Sequence, residues 1–101
     1  SIIRVAGALE IPFACKKIID RKKHDAIIAL GVVIRGETSH FDLVTNTSYQ
    51  GIMTVQLETG IPIIFGIIAC ENIEQAKKRV GKNGLNKGKE AAQAALIQTS
   101  L

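Results

Sequence analysis

The sequence of 101 residues predicts a single α/β domain built around a parallel sheet. Two stretches, residues 26–34 and 62–68, are apolar without alternation, which is typical of strands buried on both faces of such a sheet. A helical pattern separates them and would supply the crossover that parallel strands require. A buried helix is the alternative for residues 26–34, although Gly31 and the β-branched residues near it favour a strand.

The elements before the first long strand follow from shorter patterns. Residues 2–5 are β-branched and apolar except for Arg4, which predicts a short strand. Glu10 and Pro12 are residue types that favour the first turn of a helix. The helix would bury residues that recur at helical spacing, namely Ile11, Ala14, Cys15, Ile18 and Ile19. The charged residues 20–25 would end it.

Three further helices are predicted. Asp42 would cap a helix running to about Glu58, with Gly60 as its stop. A short helix over residues 73–79 follows the second long strand, and an alanine-rich helix over residues 90–99 comes last. The order β-α-β-α-β-α-α gives three parallel strands. Because such sheets normally have more, we expect that a preceding strand and helix are absent from this chain.

Charge and cysteine content restrict the functional class. The net charge is +4, from 13 Lys and Arg against 9 Asp and Glu. The four aromatic residues do not alternate with the basic ones, so solvated helix faces or a small phosphorylated ligand are favoured over nucleic acid. Cys15 and Cys70 lack metal-site spacing and are expected to be buried free thiols. With no membrane-length apolar run and no signal peptide, the cytoplasm is the expected compartment.

One histidine occupies a position suited to chemistry. His40 comes six residues after Ile34, in the loop between a predicted strand and a predicted helix. Ligands of open α/β sheets bind at such loops, and imidazole titrates near neutral pH. His40 could therefore act as a general acid or base, or it could simply cap the helix that follows. His24 lies in a charged turn and is expected at the surface.

The same loop could hold an anion. Gly36, Glu37 and Thr38 could turn backbone N–H groups and a hydroxyl toward a phosphate at the helix entrance, provided that the carboxylate points away. Arg79 and Lys87 are candidate phosphate partners from elsewhere in the chain, although single basic residues are often only solvated. Residue patterns alone thus indicate a parallel α/β domain with a phosphate-and-histidine site.

Five stretches together resemble one protein family. They are Gly-Ala-Leu-Glu-Ile-Pro at 7–12, Ile-Arg-Gly-Glu-Thr-Ser-His-Phe-Asp at 34–42, Ile-Pro-Ile-Ile-Phe-Gly at 61–66, Glu-Asn-Ile-Glu-Gln-Ala at 71–76 and Asn-Lys-Gly at 86–88. In this order they resemble the 6,7-dimethyl-8-ribityllumazine synthase family of riboflavin biosynthesis. The resemblance implies a flavodoxin-like three-layer α-β-α sandwich with a parallel sheet, with the first strand and helix absent from this chain.

The resemblance also implies an activity and a set of site residues. The reaction condenses 5-amino-6-ribitylaminouracil with 3,4-dihydroxy-2-butanone 4-phosphate and releases phosphate, without a cofactor or metal. His40 matches the proton-transferring histidine, and Phe65, Arg79 and Lys87 match positions contributed by a neighbouring subunit. The remaining matched positions would contact substrate from the first subunit, and they are Ala8, Leu9, Glu10, Val32, Val33, Ile34, Gly36, Glu37 and Thr38.

Assembly and alternatives follow from the same resemblance. A pentamer or a larger icosahedral shell is implied, with riboflavin synthase as a conceivable partner and a plastid location if a transit peptide has been removed. One alternative is a truncated assembly subunit that retains its interfaces without effective catalysis. Another is a flavodoxin-like module that binds a phosphate or nucleotide and catalyses no reaction.

Overall fold

A computed structural model of the chain describes residues 1–36, 40–81 and 86–101. A 3₁₀ turn (Ala8–Glu10) leads into α1 (Ile11–Asp20), followed by β1 (Ile27–Ile34), α2 (His40–Thr59), β2 (Ile63–Cys70), α3 (Ile73–Val80) and α4 (Lys87–Thr99). The two long strands and all four helices that the sequence predicts are confirmed, with bounds that differ by a few residues. Glu37 and Thr38 of the predicted anion loop lie outside the described residues.

The two strands pair in parallel. Their register runs from Ile27 opposite Ile63 to Ile34 opposite Cys70. One hydrogen bond extends the ladder at each end, from Ile27 N–H to the Pro62 carbonyl at 2.9 Å and from Arg35 N–H to the Cys70 carbonyl at 2.8 Å. The parallel sheet is therefore confirmed, and both strands end at the same edge.

Helices cover the two faces of the sheet separately. On one face α1 and α2 pack against the strands around a cluster of buried residues: Ile11, Cys15, Ala29, Ile52, Ile63 and Ile67. On the other face, Ile68 and Cys70 of β2 pack with Ala76 of α3. Because neighbouring residues of a strand point to opposite faces, these two clusters define three layers. The predicted α-β-α arrangement is confirmed.

The first predicted strand does not form. Residues 2–5 have no strand structure, so the sheet of the described residues has two strands rather than three. An open cleft of about 770 Å³ lies between residues 1–5 and β1. Backbone groups across such a gap cannot form a ladder, and β-branched residues alone do not make a strand without a hydrogen-bonded neighbour.

Burial of β1 also differs from the prediction. Its side chains alternate, and those of Ile28, Leu30, Val32 and Ile34 are exposed by 39–63%. The reason is that α3 and α4 pack mainly over β2 and cover this side of β1 only in part. The expectation that this strand is buried on both faces is wrong for this chain. In contrast, β2 has no exposed residue, as predicted.

Two smaller expectations have opposite outcomes. Asp42 lies within the first turn of α2 and does not cap it, because the helix already begins at His40. Cys15 and Cys70 are both buried free thiols, as predicted. Burial raises the pKa of the Cys15 thiol, since desolvation disfavours the thiolate. Within the described ranges no helix is long and apolar enough to cross a membrane.

Gly66 permits the close approach of three chain segments in the middle of the sheet. A Cβ at this position would lie 2.8 Å from the Ala29 carbonyl oxygen and 2.8 Å from Cδ2 of Leu30. On the helix side it would come within 3.7 Å of the Ala91 side chain of α4. The strand pairing therefore depends on the missing side chain, whereas the 3.7 Å to Ala91 is an ordinary van der Waals distance.

We expect Gly66→Ala to lower the free energy of unfolding by about 1–3 kcal/mol, because the added methyl group forces the backbone of β1 away. Urea denaturation followed by circular dichroism measures the change. Gly31→Ala in the adjacent strand is the matched control, since its Cβ would meet Ile67 at an ordinary 3.7 Å. Equal stabilities of the two variants would contradict this account.

Candidate functional site

The carboxyl ends of β1 and β2 define one edge of the sheet. Since Ile34 pairs with Cys70, the residues that follow each strand, Arg35 and Glu71, emerge side by side. Ligands of parallel α/β sheets bind at this edge. The strand-to-helix connection that the sequence singles out is thus located where such a site is expected.

His40 is the first residue of α2 and is exposed. The dipole of a helix makes the surroundings of its N-terminus favourable for an anion. Gly36, on the other side of the connection, is also exposed and does not have a positive φ. Among the described residues, no atom would lie within 4 Å of a Cβ at Gly36.

Arg79 reaches back from α3 to the end of β2. Its guanidinium donates a hydrogen bond to the Ala69 carbonyl at 2.8 Å and lies 3.7 Å from the Cys70 sulfur. The N-terminus of α3, the helix that carries Arg79, is capped, because the Asn72 side chain accepts a hydrogen bond from the Gln75 N–H at 2.9 Å. In return, the Gln75 side chain accepts from the Glu71 N–H at 2.9 Å. Arg79 is half-buried and has a fixed place at the sheet edge.

One cleft brings together three of the predicted site residues. It has a volume of about 520 Å³ and runs along β2, with Phe65, Arg79 and Lys87 among its lining residues. The Phe65 ring is held edge-on by Tyr49 of α2, with centroids 4.6 Å apart. The Lys87 ammonium lies 3.3 Å from the Glu90 carboxylate, which also lines the cleft. The ring of Phe65 thus packs on the α2 side of the sheet, whereas the two cations line the cleft on the α4 side, where they suit an anionic ligand.

The start of α4 explains how Lys87 enters this cleft. Asn86 adopts a left-handed conformation, with φ of 44°, and its side chain accepts a hydrogen bond from the Lys89 N–H at 3.2 Å. Asparagine tolerates this backbone region better than most residues and is also a preferred helix cap. The chain therefore turns sharply at Asn86, and Lys87 follows as the first helical residue.

A second cleft contains other predicted residues. It is the opening along the free edge of β1, and Ala8 and Val32 line it. Leu9 and Glu10 follow Ala8 in the 3₁₀ turn and are exposed, while Ile34 lies on the exposed side of β1 and Val33 packs against the core. Glu10 occupies the cap position of α1 without a side-chain hydrogen bond to the helix. The helix dipole nevertheless favours a carboxylate at this position, as the sequence predicts.

The two clefts have no lining residue in common among the described residues. The structure brings Phe65, Arg79 and Lys87 together in one, and Ala8 with Val32 in the other. A single chain does not unite these two groups of predicted residues. Within residues 1–36, 40–81 and 86–101, no group of three or more His, Cys, Asp or Glu side chains is arranged to hold a metal ion.

A charged network lies beside His40 and was not predicted from the sequence. Arg35 contacts the carboxylates of Glu71 and Asp42 and lies over the ring of Phe41. A signal was available, because Arg35 and Glu71 each follow a predicted strand directly and parallel strands end at the same edge. Tyr49 and Glu90, the neighbours of Phe65 and Lys87, gave no such signal in the sequence.

Fold and site define an α/β protein with cationic, aromatic and imidazole groups placed at and beside the edge of a parallel sheet. Comparison with known proteins makes this specific. The model of the 6,7-dimethyl-8-ribityllumazine synthase family matches residues 1–101. The chain belongs to this family.

A curated relative supports the assignment. The chain is 52% identical over 100 residues to the 6,7-dimethyl-8-ribityllumazine synthase of Kosmotoga olearia. The alignment covers 99% of this chain and 64% of the relative, so the chain spans less than two thirds of the relative's length. The family resemblance stated from the sequence motifs is confirmed.

We expect Asn72→Ala to lower the free energy of unfolding by about 1 kcal/mol, because the N–H of Gln75 loses its side-chain acceptor at the start of α3. Hydrogen exchange should show the loss of protection concentrated in α3, the helix that carries Arg79. Asn72→Ser is the control, because serine is also an effective cap. A serine variant as unstable as the alanine variant would show that the cap is not responsible.

Proposed function

We propose that this chain provides the body of a lumazine synthase active site, in which 5-amino-6-ribitylaminouracil condenses with 3,4-dihydroxy-2-butanone 4-phosphate to give 6,7-dimethyl-8-ribityllumazine, phosphate and water. The observation that carries the proposal is the cleft along β2, where Phe65, Arg79 and Lys87 come together from three separate elements. The family membership of the chain supports the same activity.

The residues of the cleft suit the two substrates. The guanidinium of Arg79 and the ammonium of Lys87 are donors for a phosphate group. In the proposal β2 forms an apolar wall of the cleft for the heterocycle, while the Phe65 ring itself packs edge-on against Tyr49 of α2. In the proposal, Gly36, Glu37 and Thr38 hold the same phosphate from the other side, and the backbone of Val32, Val33 and Ile34 contacts the pyrimidine. The segment Ala8, Leu9 and Glu10 contacts the ribityl chain.

His40 moves protons in this proposal. The amino group of the uracil attacks the ketone carbonyl, and the carbinolamine loses water to give an imine. Loss of the phosphate group then requires removal of a proton from the neighbouring carbon, and closure of the second ring releases another water. The imidazole of His40, at the entrance of α2, has ring nitrogens that can accept such a proton and return it.

Positioning supplies much of the rate enhancement. Two reactants held in a productive orientation react as if in one molecule, which is worth several kcal/mol without any cofactor. The proposed mechanism accordingly uses only side chains and backbone groups. Removing a single proton-transfer group should slow the reaction without abolishing it.

The proposed site is shared between subunits. The separation of the two clefts supports this, because neither cleft of one chain contains both groups of matched residues. A neighbouring chain would bring its Phe65, Arg79 and Lys87 to the His40 side of the first chain. The assembly would be a pentamer or a larger icosahedral shell in the cytoplasm or a plastid, with riboflavin synthase as a further candidate partner.

A second candidate is a subunit that assembles without effective catalysis. The open edge of β1 favours it, since the cleft beside residues 1–5 is unfilled and Leu30 is 63% exposed there. A site wall made of such a cleft would hold the pyrimidine loosely. Native mass together with turnover separates the candidates: a pentamer or shell without product supports the assembly subunit, and product formation supports the enzyme.

Incubation of the folded protein with both substrates should produce the absorbance of the lumazine above the spontaneous rate. We expect His40→Asn to lower kcat by about 100-fold, at the low end for loss of a general acid-base group, because substrate positioning is retained. Lys23→Asn, in the exposed segment after α1, is the control and should keep full activity. No product above the spontaneous rate from folded wild-type protein would contradict the proposed activity.

We expect Arg79→Met to raise the KM for the sugar phosphate about tenfold or more, because a charge-assisted contact with phosphate contributes roughly 1.5–3 kcal/mol. The KM for the ribitylaminouracil should change little. Lys78→Met removes an exposed cation from the preceding position of the same helix and serves as the control. If both lysine and arginine variants raise the KM equally, general charge rather than the Arg79 contact governs phosphate binding.

A further inference from the structure

Arg35 is the centre of a network that joins three elements at the edge of the sheet. Its Nε lies 2.9 and 3.1 Å from the two carboxylate oxygens of Glu71, which follows β2. Its terminal nitrogen lies 3.4 Å from the carboxylate of Asp42 in the first turn of α2. The guanidinium carbon stands 4.5 Å from the centre of the Phe41 ring. The backbone N–H of Arg35 is bonded to the Cys70 carbonyl.

These contacts contribute little to global stability. The side chains of Arg35, Asp42 and Glu71 are exposed by 40%, 57% and 57%, and ion pairs at this exposure are screened by water. Instead, these contacts fix the orientation of the Arg35 side chain. A planar fork that meets two carboxylates and stacks on a ring has one preferred orientation, which a flexible ammonium group does not have.

The contacts of Arg35 with Phe41 and Asp42 constrain the position of His40, the residue before them. His40 directly precedes Phe41 and Asp42, so the two α2 contacts of Arg35 hold the helical turn that begins with the imidazole. On the opposite side, Glu71 is fixed by the bond from its N–H to Gln75 at the start of α3. Arg35 therefore connects the entrance of α2 to the helix that carries Arg79.

We propose that Arg35 is a positioning residue that fixes the entrance of α2 and thereby the location of the His40 imidazole. The kinetic part of this inference rests on the proposed function, and the structural part, the location of the His40 ring, does not. Arg35 does not contact substrate in this role. It acts through Phe41 and Asp42, and its planar guanidinium rather than its charge is the necessary feature.

The kinetic test uses two substitutions of Arg35. Arg35→Met removes the charge and the fork, while Arg35→Lys keeps the charge alone. Because a displacement of about 1 Å can slow an oriented reaction by up to two orders of magnitude, we expect kcat to fall about tenfold or more in both variants. The KM for each substrate should change less than kcat, since the substrate-contacting residues are retained.

The matched control breaks an ion pair of similar exposure elsewhere. Lys16 and Asp20 form a contact of 2.7 Å on α1, with side chains exposed by 48% and 56%. The hydrogen bond from Lys16 lowers the pKa of Asp20, so the two groups do interact. Lys16→Met should leave kcat and both KM values unchanged.

A second readout does not depend on activity. The chain has two histidines, so ring-labelled protein gives nuclear magnetic resonance signals from His24 and His40 only. We expect both Arg35 variants to shift the His40 ring signals, and to leave those of His24 unchanged. Lys16→Met should move neither set.

These measurements separate the inference from the proposed function. Folded wild-type protein without turnover would contradict the function, while the His40 signals would still test the role of Arg35. Unchanged His40 signals and kcat in Arg35→Met would overturn the inference. Full wild-type behaviour of Arg35→Lys would also overturn it, because charge would then suffice. If Arg35→Met does not fold, the lysine variant alone decides, with circular dichroism as the check on its fold.

Discussion

The ladder between β1 and β2 brings together the candidate functional residues at the carboxyl edge of the sheet. Its parallel register brings Ile34 opposite Cys70, so the connections after the two strands leave the sheet together. Arg35 and Glu71 meet there, α2 begins there with His40, and Arg79 returns there from α3. A slip of one residue would move each strand's side chains to the opposite face and separate these groups.

Close packing around the ladder fixes the helices as well as the strands. At Gly66 the two strands approach so closely that a methyl group would collide with β1. A similar constraint holds between the helices, where a Cβ at Gly51 of α2 would lie 2.7 Å from the Pro12 ring of α1. Glycine at these two positions permits approaches that larger residues prohibit.

In contrast to these closely packed positions, the free edge of β1 is loosely covered. Here apolar side chains such as Leu30 and Val32 face an open cleft, and residues 1–5 run beside the strand without bonding to it. Among the described residues no strand pairs with this edge of β1. The same surface carries Ala8 and Val32, two of the predicted site residues.

The sequence by itself determined the class of fold, the two long strands, the four helices and the family. Unbroken apolar runs and helical periodicity are local patterns, and five short motifs in fixed order are specific enough to define a relationship. Only the tertiary structure decided that residues 2–5 form no strand and that one side of β1 is exposed. It also decided that Phe65, Arg79 and Lys87 line one cleft, whereas Ala8 and Val32 line another. The physical reason is that pairing, burial and the contacts of Arg35 depend on which neighbours are present in space, and a periodic pattern along the chain does not contain that information.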